Sequence, residues 1–296
     1  MRKGFIINLK PLTGLSLNAK RLVANRVVGS YKSVFRGRGL EFGGYRTYTP
    51  GDDASLIDWK ASVRTGETLI KEFVEERNLT VFFLIDVSNS MLYSSFSKLK
   101  SEYTAELVSS LSFVVLHAGD SIGFVLFSDK IIKQIMPFNG EGRHSLITKE
   151  LLRIDNYGGG YDLAHALKYT GSFLQPQSVL IIISDFIGLK EGWDTHLKLA
   201  AQKYSIIGMM VRDPRDKRLP DMSFGSILLE SPYGEEQIVV DPKKVAKPYQ
   251  DYVVKQEKKI KDTFLRAEAD FLSLTSDKDF VIPLLQFFKE RERRLT

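Results

Sequence analysis

The chain has no cysteine. That excludes disulfide frameworks, thiol nucleophiles and sulfur-ligated zinc or iron–sulfur centres. Histidine is scarce: His117, His144, His165 and His196 are scattered, and no His-Glu-x-x-His helix motif exists. There is no Gly-x-Ser-x-Gly nucleophile elbow and no Gly-x-x-x-x-Gly-Lys-Ser/Thr phosphate loop. These absences remove the commonest hydrolase, metalloprotease and ATPase signatures, and a non-enzymatic role is expected. His165, one helical turn after Asp162, offers an acid–base pair only in outline. Long apolar runs are missing too. Val179–Ile183 with Phe186 and Ile187 is interrupted by Ser184 and Asp185, well short of the ~18 residues a span needs. Phe5, Ile6, Ile7 and Leu9 are too few for a signal-peptide core. A cytoplasmic location is the expectation.

Acidic residues are absent from residues 1–40, where nine basic side chains fall. The remaining 33 basic and 36 acidic residues net to −3, so the whole excess of +6 sits at one end. Such asymmetry points to an anionic partner. Lys32 beside Tyr31, and Arg36 and Arg38 beside Phe35, interleave charge with rings as strand-stacking surfaces do. Nucleic-acid binding is therefore one alternative function, although no nucleic-acid fold motif accompanies the cluster.

The 296 residues suffice for one large or two modest domains. From Thr80 onward the patterns alternate. Val81–Ile85 is a continuous apolar run, as strands buried on both faces are. A helix is expected at about 98–118, strands at Ile122–Phe127 and Ile131–Met136, and helices at about 143–155 and 162–174. Val179–Ser184, a helix at about 191–203 and a strand at about 205–211 follow. Ser128, Asp129 and Lys130 join the second and third strands closely enough for a hairpin, placing one antiparallel strand at an edge. The alternation predicts a doubly wound, mostly parallel α/β sheet. Residues 226–241 read as an inserted hairpin turning at Pro232, Tyr233 and Gly234. Pro248 is expected to precede a helix at about 249–266, before a last strand at Phe271–Leu274 and a closing helix at Ile282–Arg293. Residues 1–78 form a smaller companion unit, with a basic helix at about 16–28. Glu72–Glu75 read as an extended lead-in to the first central strand of the 79–296 domain.

Ligands of open α/β sheets bind outside the carboxyl ends of the strands. Two polar clusters fall there: Asp86, Ser88, Asn89 and Ser90 after the first core strand, and Ser184 and Asp185 after the fourth. Adjacent strand ends would join them into a set of hard oxygen ligands, suited to Mg²⁺. Two carboxylates leave such a cation partly unneutralised, so it would accept one more from outside. That is a recognition device rather than a catalyst. The bland alternative is a polar loop whose hydroxyls cap the next helix.

Asp86-x-Ser88-x-Ser90 followed by Met91 resembles the metal-ion-dependent adhesion site (MIDAS) of von Willebrand factor type A domains, whose fold is Rossmann-like. Upstream, Gly37, Gly39, Glu41 and Phe42 lead to Arg46, Tyr48, Pro50, Gly51, Asp52 and Asp53, then Ile57, Asp58 and Trp59. This run resembles the signature of the domain of unknown function 58 family, which fuses such a segment to a von Willebrand A domain. The resemblance implies a non-enzymatic adaptor working with a MoxR-type AAA+ ATPase in chaperone-like maturation or assembly of client proteins. It implies Asp86, Ser88 and Ser90 as ligands of Mg²⁺ (or Mn²⁺ or Ca²⁺), with Asp185 acting through water. In the family a threonine follows the glycine run; here Gly159 and Gly160 precede Tyr161, Asp162 and Leu163. A phenol reaches too far to replace that hydroxyl, so Asp162 or water substitutes, or the protein is a metal-free scaffold. Asn89 and Tyr161 are the candidate partner-facing residues at this edge, and Lys20, Arg21 and Arg26 those of the leader. In the signature itself, Pro50–Gly51 is expected to turn, Asp58 to cap a helix and Trp59 to pack between units.

Overall fold

The computed structural model describes residue 31 and residues 41–74, 79–140, 142–221 and 225–295. Six strands form the main sheet: β3 (Thr80–Asp86), β4 (Ser121–Phe127), β5 (Ile131–Phe138), β6 (Val179–Ser184), β7 (Ser205–Arg212) and β10 (Asp270–Thr275). Their order is β10-β7-β6-β3-β4-β5. Every neighbouring pair is parallel except β4–β5, so β5 is the antiparallel edge. The chain is a doubly wound α/β protein with a mostly parallel sheet and one antiparallel edge strand, as the alternation predicts.

The alternation of side chains across β3 splits the core in two. Val81, Phe83 and Ile85 face one cluster, and Phe82 and Leu84 the other. Beta-branched and aromatic residues suit a strand buried on both faces. On the first face lie α2 (Lys100–His117), α3 (Arg143–Leu151) and α8 (Val281–Leu295), contributing Leu107, Leu111, Ile147 and Phe288. On the second lie α4 (Leu163–Thr170), α5 (Trp193–Ala201) and α7 (Pro242–Arg266), contributing Leu167, Leu197, Ile260 and Phe264. On β7, a Cβ at Gly208 would come within 2.5 Å of the Phe264 ring. Glycine there is what lets α7 approach the sheet.

Connections from β3 and β6 leave in opposite directions, to β4 and to β7. The crevice between these two strand ends is the topological switch point.

Three expectations need correcting. The helix before the last strand starts at Pro242, and Pro248 lies inside it. Asp241 caps the Lys243 amide and Pro242 takes the first position, where a missing N–H costs nothing. Pro248 forfeits one bond within a 25-residue helix held by its apolar face. Glu72, Phe73 and Val74 do not lead into the main sheet. They belong to β2 (Leu69–Val74), which pairs antiparallel with β1 (Glu41–Thr47) in a sheet of their own. Trp59 is not packed between units: it is 67% exposed on α1 (Trp59–Thr65).

Gly37 and Gly39 lie outside the described residues, but Arg46, Asp52 and Asp58 of the signature do tie this small unit together. The Arg46 guanidinium forks onto Asp52 at 2.7 and 2.8 Å, and Asp52 also accepts the Thr49 amide and hydroxyl. The Arg46 guanidinium and then Thr49 hold the Asp52 carboxyl well below the usual range. Asp58 caps α1 through the Lys60 and Ala61 amides and accepts the Tyr45 hydroxyl at 3.0 Å. The expected hairpin is β8 (Ile227–Glu230) with β9 (Gln237–Val240), paired with each other in a third sheet. The basic helix at about 16–28 lies outside the described residues.

Candidate functional site at the strand ends

Asp86 ends β3, and its carboxylate is fully buried. One oxygen accepts the Ser88 amide at 2.8 Å; the other accepts the Ser184 hydroxyl, from the end of β6, at 2.7 Å. The two polar clusters therefore meet across the switch point. Among described residues no cation is hydrogen-bonded to Asp86. Burial first, and then the charge of Asp185, push its carboxyl up to about 7.

Ser88 precedes a short 3₁₀ turn, Asn89–Leu92, but its side chain does not cap it. The hydroxyl turns inward, 3.2 Å from Ser90 Oγ. Both serines are buried. Asn89 donates its amide to the Gly159 carbonyl at 3.1 Å, joining this loop to the glycine run.

The remaining predicted residues go elsewhere. Tyr161 is buried beneath the site, with its phenol oxygen 3.0 Å from Ser184 Oγ. Burial, then Asp86, raises that phenol well above its ordinary pKa. Asp162 caps α4 through the His165 amide at 2.9 Å and pairs with Lys190 at 2.9 Å. Burial pushes its carboxyl up, but the His165 amide and Lys190 together draw it below the ordinary value. Both Asp162 oxygens are thus engaged by other groups. Lys20, Arg21 and Arg26 lie outside the described residues. Tyr31, expected to help stack bases, is only 2% exposed and donates its hydroxyl to Asp120 at 2.8 Å. It is a core anchor and presents no ring to a nucleic acid.

Three site residues escaped the sequence reading. Lys100, in the first turn of α2, is 1% exposed and reaches Asp185 at 2.6 Å and Asp216 at 2.9 Å. Burial alone would depress its ammonium, but the two carboxylates outweigh that and hold its pKa above the ordinary value. Asp216 lies in α6 (Pro214–Lys217), after β7, and also accepts the Asp213 amide. The third is Tyr233, at the tip of the β8–β9 hairpin. Its hydroxyl lies 2.8 Å from Ser90 Oγ, 3.1 Å from Ser88 Oγ and 3.1 Å from the Ile187 carbonyl. No periodicity marks a buried lysine at a helix start. The turn around Tyr233 was legible, but not where it points.

The donor set fits a hard divalent cation. An octahedral ion with oxygens at 2.0–2.1 Å has neighbouring ligands about 3 Å apart. The Ser88 and Ser90 oxygens, 3.2 Å apart, have the spacing of two neighbouring ligands, and the Tyr233 hydroxyl hydrogen-bonds to both. Asp86, whose oxygens accept only the Ser88 amide and the Ser184 hydroxyl among the described residues, would supply negative charge beside them once ionised. Asp185 is already engaged by Lys100 and the Ile187 amide, which suits a role through water. Among the described residues no three His, Asp or Glu side chains cluster as a metal site, so cation binding would rest on Asp86 and the hydroxyls.

Similar proteins extend over most of the chain. Uncharacterized proteins of Mycobacterium bovis and Mycobacterium tuberculosis are each 23% identical over 288 residues, covering 95% of this chain and 89% of theirs. Among solved structures, the conserved hypothetical protein BatB from Bacteroides thetaiotaomicron is similar, with 16% identity and a TM-score of 0.46. That match covers 73% of this chain and 99% of BatB. A von Willebrand factor type A protein from Catenulispora acidiphila aligns with 12% identity and a TM-score of 0.40, covering 77% of this chain and 44% of its own. No described helix is long and apolar enough to cross a membrane. The model of the family described as protein of unknown function DUF58 matches residues 44–259, and the chain belongs to that family.

Proposed function

We propose that the chain is a non-enzymatic protein-interaction scaffold that binds a partner's carboxylate through a divalent cation at the strand ends. The inward turn of Ser88 carries this reading. A polar loop that merely capped its helix would spend that hydroxyl on an amide, and here it joins Ser90 beside Asp86 instead. Asp86, Ser88 and Ser90 would hold Mg²⁺ or Mn²⁺, with Asp185 behind a water. The cation's chemistry would be to bind one further carboxylate. This chain's own residues orient it: Ser184 fixes Asp86, and Lys100 fixes Asp185.

The partner implied by the family resemblance is a MoxR-type AAA+ ATPase, acting with the scaffold on client proteins in the cytoplasm. The basic leader, with Lys20, Arg21 and Arg26, would supply a second, cation-independent contact. Titration calorimetry with Mg²⁺ and Mn²⁺ should give heat for the unaltered chain and none for Asp86→Ala. No heat in either at millimolar metal rejects the cation. The ATPase should co-purify from native lysate and be lost from Ser88→Ala, with an unchanged thermal melt.

One observation favours a second reading. The Lys100 ammonium, 2.6 Å from Asp185, already places a positive charge in the site. The scaffold would then be metal-free, and partner binding would survive chelation.

A further inference from the structure

We infer that Tyr233 is a built-in latch: the β8–β9 hairpin closes the strand-end hydroxyls and must swing away before an outside ligand reaches them. This regulation rests on the recognition reading proposed above, whereas the closure itself is a matter of geometry.

The tip is shaped to present the phenol. Its loop is closed by the Ser231 amide on the Glu236 carbonyl at 3.0 Å, and the Tyr233 amide turns back onto Ser231 Oγ at 3.3 Å. Pro232 fixes one backbone angle between them. The receiving loop is shaped to match. Gly188 has φ of +81°, and a Cβ there would come within 2.6 Å of the Tyr233 ring. Only glycine satisfies both the backbone and the ring at that position.

The hydroxyl bridges the two loops of the switch point, touching Ser88 and Ser90 from one and the Ile187 carbonyl from the other. Beneath it Asp86, Ser88 and Ser90 are at most 1% exposed. An external oxygen bound to either serine must take the place of the phenol.

The hairpin is held by its tip rather than by its strands. Among the described residues, β8 and β9 pair only with each other. Leu228, Ile238 and Val239 are more than half exposed. Releasing one phenol breaks no ladder of the main sheet, so the hairpin can open as a unit while the core stays folded.

The absence of native cysteine allows a direct test. In Ser90→Cys, the rate of labelling by a small thiol reagent reports exposure of the site; Ser88→Cys serves if the first variant does not fold. A latch predicts labelling at least a hundredfold faster than global unfolding, and insensitive to low urea. Adding Tyr233→Phe keeps the ring on Gly188 and removes the hydroxyl. It should speed labelling about tenfold, the equivalent of one to two net hydrogen bonds. Labelling that tracks global unfolding with and without Tyr233→Phe would overturn the latch. In parallel, Tyr233→Phe on the unaltered background should tighten Mn²⁺ binding about tenfold; equal or weaker binding also counts against the latch. An absence of Mn²⁺ heat in both proteins overturns the cation, and the latch then stands or falls on labelling.

Discussion

Lys100 and Asp185, 85 residues apart, form a buried ion pair of 2.6 Å at the centre of the strand-end site. Asp216 completes it from the end of the next strand. Desolvating three charges is costly, and the arrangement persists because each satisfies another. Lys100→Met removes the ammonium that both carboxylates contact and leaves Asp185 and Asp216 without it. A loss of about 3–5 kcal/mol is expected, the usual consequence of stranding a buried charge. Urea unfolding at neutral pH measures it. A loss below ~1 kcal/mol would mean that water reaches the triad and that the pair contributes little.

Asp86 gives a pH signature of unusual sign. Its carboxyl is pushed up to about 7 in the folded state, against 3.8 for a free aspartate side chain. Between those values the folded chain keeps a proton that the unfolded chain has lost. Stability from this group is therefore full below about pH 4 and falls as pH rises to about 7, then stays level. Surface carboxylates such as Asp52 work in the opposite direction. The difference between the unaltered chain and Asp86→Asn isolates the effect. In chelator, urea unfolding should show Asp86→Asn more stable than the unaltered chain above pH 7, by an amount on the order of a few kcal/mol, and the gap should shrink towards pH 4. A constant gap across that range would place Asp86 in contact with solvent.

The core strands were readable because burial on both faces leaves an uninterrupted apolar run, as in Val179–Ile183 of the wholly buried β6. The antiparallel edge was readable because three polar residues, Ser128 to Lys130, leave no room for a crossover. The Asp86 cluster followed from its place at a strand end. Lys100 and Tyr233 did not follow. Their roles depend on which distant element faces them, and neither carries a local pattern that records it. Pro248 misled for a related reason. Proline is a strong local signal, yet Asp241 and Pro242 begin the helix earlier, and its packed face outweighs one lost bond.

Gly208 tests how closely α7 sits on the sheet. A methyl group there would lie 2.5 Å from the Phe264 ring, inside any tolerated contact. Gly208→Ala should destabilise the fold by roughly 1–3 kcal/mol, the cost of overpacking. Phe264→Leu costs stability alone, yet combined with Gly208→Ala it should recover part of the loss. A double-mutant cycle in urea gives the coupling. Additive effects would mean that the helix shifts outward without strain.

Tyr161 follows the Gly158–Gly160 run, and its environment predicts a structural role. The phenol oxygen lies 3.0 Å from Ser184 Oγ, while Ser184 also engages Asp86. Tyr161→Phe keeps the ring against Phe127 and removes one buried hydroxyl contact. The expected cost is about 1 kcal/mol. Cation affinity should change less than threefold, because Ser184 still holds Asp86. Tyr161→Thr offers a shorter hydroxyl but empties the space of an aromatic ring, and should cost about 3–5 kcal/mol, as aromatic-to-small changes do. Calorimetry on Tyr161→Phe separates the roles. If removing this single oxygen abolishes cation binding while the melt is unchanged, Tyr161 is itself a ligand and not merely a structural support.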